Sequence, residues 1–139
     1  MTISYWAIFG AAVASYGFGA VWYTVLSNAW IAAQETTKEA QGKRHSIVWL
    51  PFVISFVAQV LMAYLLAGVI VHMARSGIGV SARSGVISAL FLWAGFVMTT
   101  LVTNNAFQAR RWMLSLIDGA HWLGVLIIQG AIIGAYGIK

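Results

Sequence analysis

The chain has 139 residues, 61% of them hydrophobic and only 8% charged, with a mean hydropathy of +0.86. A soluble domain carries about 25% charged residues, so this chain could not cover a water-facing surface, and lipid must be its solvent. The absence of cysteine excludes disulfides, thiolate metal sites and cysteine nucleophiles, and the net charge of +5 is better explained by membrane topology and anionic headgroups than by nucleic acid.

Four apolar stretches fill almost the whole sequence, at about residues 3–26, 47–73, 86–107 and 113–138. At about 1.5 Å rise per residue, each is long enough to cross a hydrocarbon core of about 30 Å. The runs are continuous rather than alternating, and far longer than a barrel strand of about ten residues, so helices must satisfy their backbones. The predicted fold is all-α: a single-domain integral membrane four-transmembrane-helix bundle, up-down-up-down. The first stretch lacks a basic region before its apolar run, so it is expected to be a retained helix and not a signal peptide.

The first helix carries Ala7, Ala11, Ser15 and Gly19 at four-residue spacing, with Gly10, Ala14 and Gly17 widening that face. Small residues let backbones approach where lipid removes the ordinary hydrophobic drive, so this is a packing seam suited to a partner. A polar segment follows over about 27–46, with Trp30, Gln34, Glu35, Lys38, Glu39, Lys43, Arg44 and His45. Its stretch from Asn28 to Ala40 favours helix, either extending the first or lying in the interface, and Gly42 is expected to stop it.

The second helix opens with Trp49 and Pro51, and proline in a first turn needs no kink. Gln59 and Tyr64 lie deep in it and are expected to hydrogen-bond a neighbouring helix, with pore lining as the alternative. A glycine-punctuated loop over about 74–85 holds Arg75, Gly77, Gly79, Arg83 and Gly85. The third helix turns polar at its end, through Thr99, Thr100, Thr103, Asn104, Asn105 and Gln108. A tight turn with Arg110, Arg111 and Trp112 leads into the fourth helix, which ends in a GxxxG pattern at Gly130 and Gly134. Trp93 and Trp122 lie away from the helix ends and are expected to pack between helices.

Orientation follows from short-loop cations. The first and third loops hold Lys38, Lys43, Arg44, Arg110 and Arg111, against Arg75, Arg83 and Lys139 on the other side. The positive-inside rule therefore puts loops 27–46 and 108–112 in the cytoplasm and both termini outside.

Asp118 is the sole acid inside a span, and His121 follows it on the same helix face. An intramembrane acid is costly and usually partnered. The candidate polar cluster is Asn104, Gln108, Arg110, Arg111, Asp118 and His121. In one reading it ties the third and fourth helices together and neutralises Asp118 against an arginine. In the other it binds a proton or cation in a small transporter. His45, His72 and His121 do not share a depth, so neither a metal site nor a haem site is expected, and no cofactor is assigned. Phosphate loops, nucleophile elbows and metalloprotease motifs are absent from the sequence, so it reads as non-enzymatic.

Several short patterns carry a family resemblance. Gly19, Ala20, Val21, Trp22 and Tyr23, followed by Ala29 and Trp30, resemble a "GALWY…W" signature. Leu92 to Phe96 resembles a "W-x-G-F" element, and Asn105 to Arg110 an "N-x-x-F-E-x-R" turn. Residues Ile117 to His121 stand where "I-N-x-x-Y" is usual. These patterns resemble a family of small bacterial membrane proteins catalogued as domain of unknown function 1761. Gln108 replaces the usual acid and Asp118 the usual amide, which implies that an acid has moved between neighbouring helices within one cluster. The resemblance implies a place in the bacterial inner membrane and no activity.

The functional expectation is a membrane protein that acts through helix packing, as a homo-oligomer or an accessory subunit of a larger membrane complex. The alternative is a small oligomeric channel or transporter with its polar site around Asp118, Asn104, Gln59 and Tyr64. An enzyme acting on lipid is a third possibility.

Overall fold

The computed structural model describes residues 1–35 and 48–139. Four helices in it are long and apolar enough to cross a membrane: Tyr5–Val25, Leu50–Arg75, Ala82–Phe107 and Trp112–Gly137. They are the first to fourth spans below. At about 1.5 Å per residue, the shortest reaches roughly 32 Å. Apolar residues surround the first and second spans on all sides, the mark of a helix solvated by lipid rather than by water. The result is a four-helix membrane bundle.

Local sequence sets most of the ends. Ser4 caps the first span by accepting from the Ala7 N–H, at 3.4 Å. That span breaks at Leu26, and a separate short helix, Ser27–Ala33, follows. Glu35 then turns the chain with a φ of 56°. The expected continuation to Ala40, the stop at Gly42, and Lys38, Lys43, Arg44 and His45 all lie outside the described residues. Pro51 sits in the first turn of the second span, where it removes no helical hydrogen bond.

The third span starts at Ala82, four residues before the expected position, because Ser81 and Ser84 form a reciprocal capping box. Gly85 was expected to be a loop breaker. It is instead a buried residue inside the helix. A Cβ on Gly85 would run into the backbone carbonyl of Gly130, so this glycine is required by a close helix crossing and not by a turn. Two π-helical segments also appear, at Trp93–Met98 in the third span and Ile133–Gly137 at the end of the fourth. No pattern in the sequence signals them.

The fourth span is the hub. It is the most buried of the four spans, with 44% of its apolar stretch buried against 17–28% for the others, and it packs on all three neighbours. Pairs such as Tyr23 with Asp118 and Ser15 with Gln129 run in opposite senses along the first and fourth spans, so these two are antiparallel. The two termini meet at one end, where Ile3 and Ile138 form an antiparallel bridge and Thr2 N–H donates to the Lys139 carbonyl at 2.7 Å.

The main core runs through Ile8, Ala11, Ala63, Leu66, Ile70, Ala89, Leu126 and Ile133. Three polar side chains are embedded beside it. Ser15 Oγ donates to Gln59 Oε1 at 2.8 Å, while Gln129 Nε2 donates to both Ser15 Oγ and the Gln59 carbonyl at 3.0 Å. This triad joins the first, second and fourth spans, and it gives Gln59 the neighbouring-helix partners expected of it. Tyr64 departs from expectation: it is 45% exposed on the lipid-facing side of the second span.

Candidate functional site

The fourth span enters the bundle through Leu114 and Ile117, which bury beside Ala33 of the short helix and the half-buried Tyr23, Leu26 and Trp30. This contact brings the end of the first span and the short helix against one turn of the fourth. Three indoles donate into that turn. Trp22 Nε1 reaches the Ile117 carbonyl at 3.2 Å, Trp30 Nε1 the Asp118 Oδ1 at 3.0 Å, and Trp93 Nε1 the Gly119 carbonyl at 2.8 Å. Tyr23 Oη adds the shortest bond, donating to Asp118 Oδ1 at 2.6 Å. Indoles suit this work because each joins a large apolar body to a single polar N–H.

Asp118 is therefore held by the first span and the short helix, and not by the expected arginine. Among the described residues no arginine or lysine pairs with it. Arg111 turns away to Glu35, at 2.8 Å, with both side chains about 60% exposed. Asn104, Gln108 and Arg110 are exposed and stand apart from the knot. The link from the third to the fourth span at this end runs instead through Asn105, whose Nδ2 donates to Ser115 Oγ at 3.0 Å. Of the six candidate cluster residues, the structure brings together Asp118 and His121, each in contact with Tyr23.

His121 is only 3% exposed. Its ring stacks on Phe18, with planes 6° apart, and lies 4.8 Å from the Tyr23 ring and 4.7 Å from that of Trp122. Gly19 makes this fit possible, since a Cβ there would stand 2.6 Å from His121 Nε2. The Nδ1 atom is buried and has no hydrogen-bond partner, as is the Oε1 of Gln129. Beside His121, a cleft of about 770 Å³ opens between the first and second spans, lined among others by Tyr16, Tyr23, Trp30, Phe52, His121 and Trp122. Gln59 reaches its wall from the core.

The small-residue seams also land differently from their expected use. Ala11, Ser15 and Gly19 are buried inside the bundle, and Ala7 is half-buried. Gly130 meets Gly85 backbone to backbone, and Gly134 meets Ser81 and Ala82. Both seams thus serve contacts within one chain. The physical reason is the hub position of the fourth span, which demands close approach on more than one side.

Trp22, Tyr23 and Trp30 stand in the signature quoted above, yet the sequence assigns them no role in holding Asp118. One signal was available: an up-down topology places residues 22–30 at the same membrane depth as Asp118. Gln129 was also missed, although an amide within an apolar run is itself a sign of a buried partner.

No curated protein and no solved structure matches the chain. A family model described as a protein of unknown function, DUF1761, matches residues 6–134. With nearly its whole length covered, the chain belongs to that family.

Proposed function

We propose that this chain is a non-enzymatic protein of the bacterial inner membrane that acts by packing against a second copy of itself or against another membrane subunit. The observation that carries the proposal is the outer face of the first span. Gly10, Ala14 and Gly17 are exposed there, and a Cβ on Gly10 or Gly17 would meet nothing within 4 Å. Phe9 and Val13 stand exposed along one side of this row and Val21 ends it, so the small residues form a shallow groove bordered by larger side chains. A neighbouring helix can press its ridge into such a groove. The inward small residues already hold this bundle together, which leaves this outer row for a partner.

The excess of cations in the first and third loops supports a cytoplasmic location for that end of the bundle. The transporter alternative has less support. Asp118 Oδ1 already accepts from Tyr23 and Trp30, and Ser15, Gln59 and Gln129 bond to one another.

Native mass spectrometry in mild detergent and in nanodiscs tests the proposal. Dimers, larger assemblies or a co-purified membrane subunit are expected, and Gly17→Leu should reduce them severalfold. A strict monomer under both conditions, with no co-purified subunit, overturns it.

A further inference from the structure

The cleft beside His121 takes no part in the packing face just described. We propose that it is a binding site for a neutral, ring-headed amphiphile, a phenol- or quinol-type lipid whose hydroxyl bonds to His121.

The site is built rather than incidental. Its wall includes His121, 97% removed from solvent contact, and that ring carries a buried nitrogen with no partner. Buried polar atoms are nearly always paired, and an unpaired one asks for a donor or acceptor. A hydroxyl supplies either, so it matches whichever tautomer the imidazole holds. Nδ1 is closed off from the cleft in this arrangement, so the ring must turn about χ2, a torsion that is broad and roughly two-fold in histidine, to offer it to a ligand.

The lining selects the ligand class. Among the described residues that line the cleft, none is a lysine, arginine, aspartate or glutamate. Against these walls a phosphate or carboxylate headgroup would be desolvated without a counter-charge, which disfavours it relative to a neutral head. The walls are instead aromatic, from Tyr16, Tyr23, Trp30, Phe52 and Trp122. Flat rings favour a flat ring between them, in stacked or edge-on contact. The volume of about 770 Å³ lies within the range of small-molecule pockets, about 300–1,000 Å³. Entry is from the bilayer: Ala20, Thr24 and Phe52 line the cleft and are exposed between the first and second spans. A tail can leave by that gap and remain among lipid chains.

Three probes separate this proposal from ordinary filling by acyl chains: 4-decylphenol, decylbenzene and decyl phosphate. They share a ten-carbon tail and differ in the head. Native mass spectrometry of the full chain in nanodiscs should show one saturable adduct per chain with 4-decylphenol. Decylbenzene should bind about tenfold more weakly, the loss of one hydrogen bond to a buried partner, and decyl phosphate should bind more weakly still. Ala20→Phe, at an exposed position on the cleft wall, should abolish the adduct, while Leu65→Phe, exposed on the second span and outside both the lining and the packing face, should keep it. In His121→Leu, 4-decylphenol should bind no better than decylbenzene. Equal binding of 4-decylphenol and decylbenzene to the unmodified chain overturns the proposal, as does an adduct that survives Ala20→Phe. Because His121→Leu can fail to fold, the Ala20→Phe and probe comparisons decide the matter without it.

Discussion

Gly85→Ala puts the crossing of the third and fourth spans to a direct test. The added methyl would point at the backbone of Gly130, whose carbonyl carbon would stand 2.8 Å away, with Gly134 Cα at 3.2 Å. The carbonyl oxygen of Gly130 would lie closer still, and carbon atoms rest at about 3.5 Å or more, so the crossing must open by roughly 1 Å. A gap of that size forfeits about a quarter to a half of each dispersion contact along the crossing. The obstruction is backbone, which cannot swing aside as a side chain can. Overpacking of this kind costs about 1–3 kcal/mol, while replacing a helical glycine with alanine returns about 0.5–1 kcal/mol. The net loss then lies between about 0 and 2.5 kcal/mol, toward the upper end because the obstruction is backbone. Gly68→Ala is the internal control, since a Cβ there meets nothing within 4 Å, and it should be neutral or slightly stabilising. Reversible unfolding in mixed micelles, by titration with sodium dodecyl sulfate and followed by circular dichroism, reads both. If Gly85→Ala unfolds at the same midpoint as Gly68→Ala, the close crossing is wrong.

The knot around Asp118 can be probed by the same unfolding assay. Asp118→Leu strands the Tyr23 hydroxyl and the Trp30 N–H and should cost about 2–6 kcal/mol, at about 1–3 per orphaned group. Asp118→Asn keeps an acceptor and should cost less than about 1 kcal/mol; equal losses in the two variants would remove these bonds from the account. Gln129→Leu gives up two bonds worth about 0.6 kcal/mol each but also removes an orphaned Oε1, so the midpoint should move by less than about 1 kcal/mol. A loss above about 3 kcal/mol would show that this triad holds the bundle together. Arg111→Ala should change stability by under about 0.5 kcal/mol, because its pair with Glu35 is mostly exposed, and a larger loss would show that the pair is not solvent-screened.

The spans were legible because each depends on a local property, a long uncharged apolar run, and the bilayer leaves such a run one choice of structure. The end of the third helix and the tight turn at Arg110 were legible for the same reason. What escaped were features that depend on which helix lies beside which. Gly85 has the same identity whether it breaks a loop or admits a neighbouring backbone, and only the position of Gly130 decides between them. Asp118 was assigned the nearest cations in sequence, whereas its partners are 88 and 95 residues away. The third helix began early because two serines cap one another, a pairing less familiar than serine with glutamate. The two π-helical segments left no mark in composition at all.

The position of the hub bears on how the protein is made. Synthesis runs from the N-terminus, so the fourth span enters the bilayer last, yet it is the element on which the other three converge. Until it arrives, the first and third spans have little to bind to in each other, and the indoles of Trp22, Trp30 and Trp93 have no carbonyl or carboxylate from the fourth span to receive them. Ser15 and Gln59 can pair early, but both still await the amide of Gln129. Assembly is therefore a late closure, set by the insertion of the last 26 residues of span.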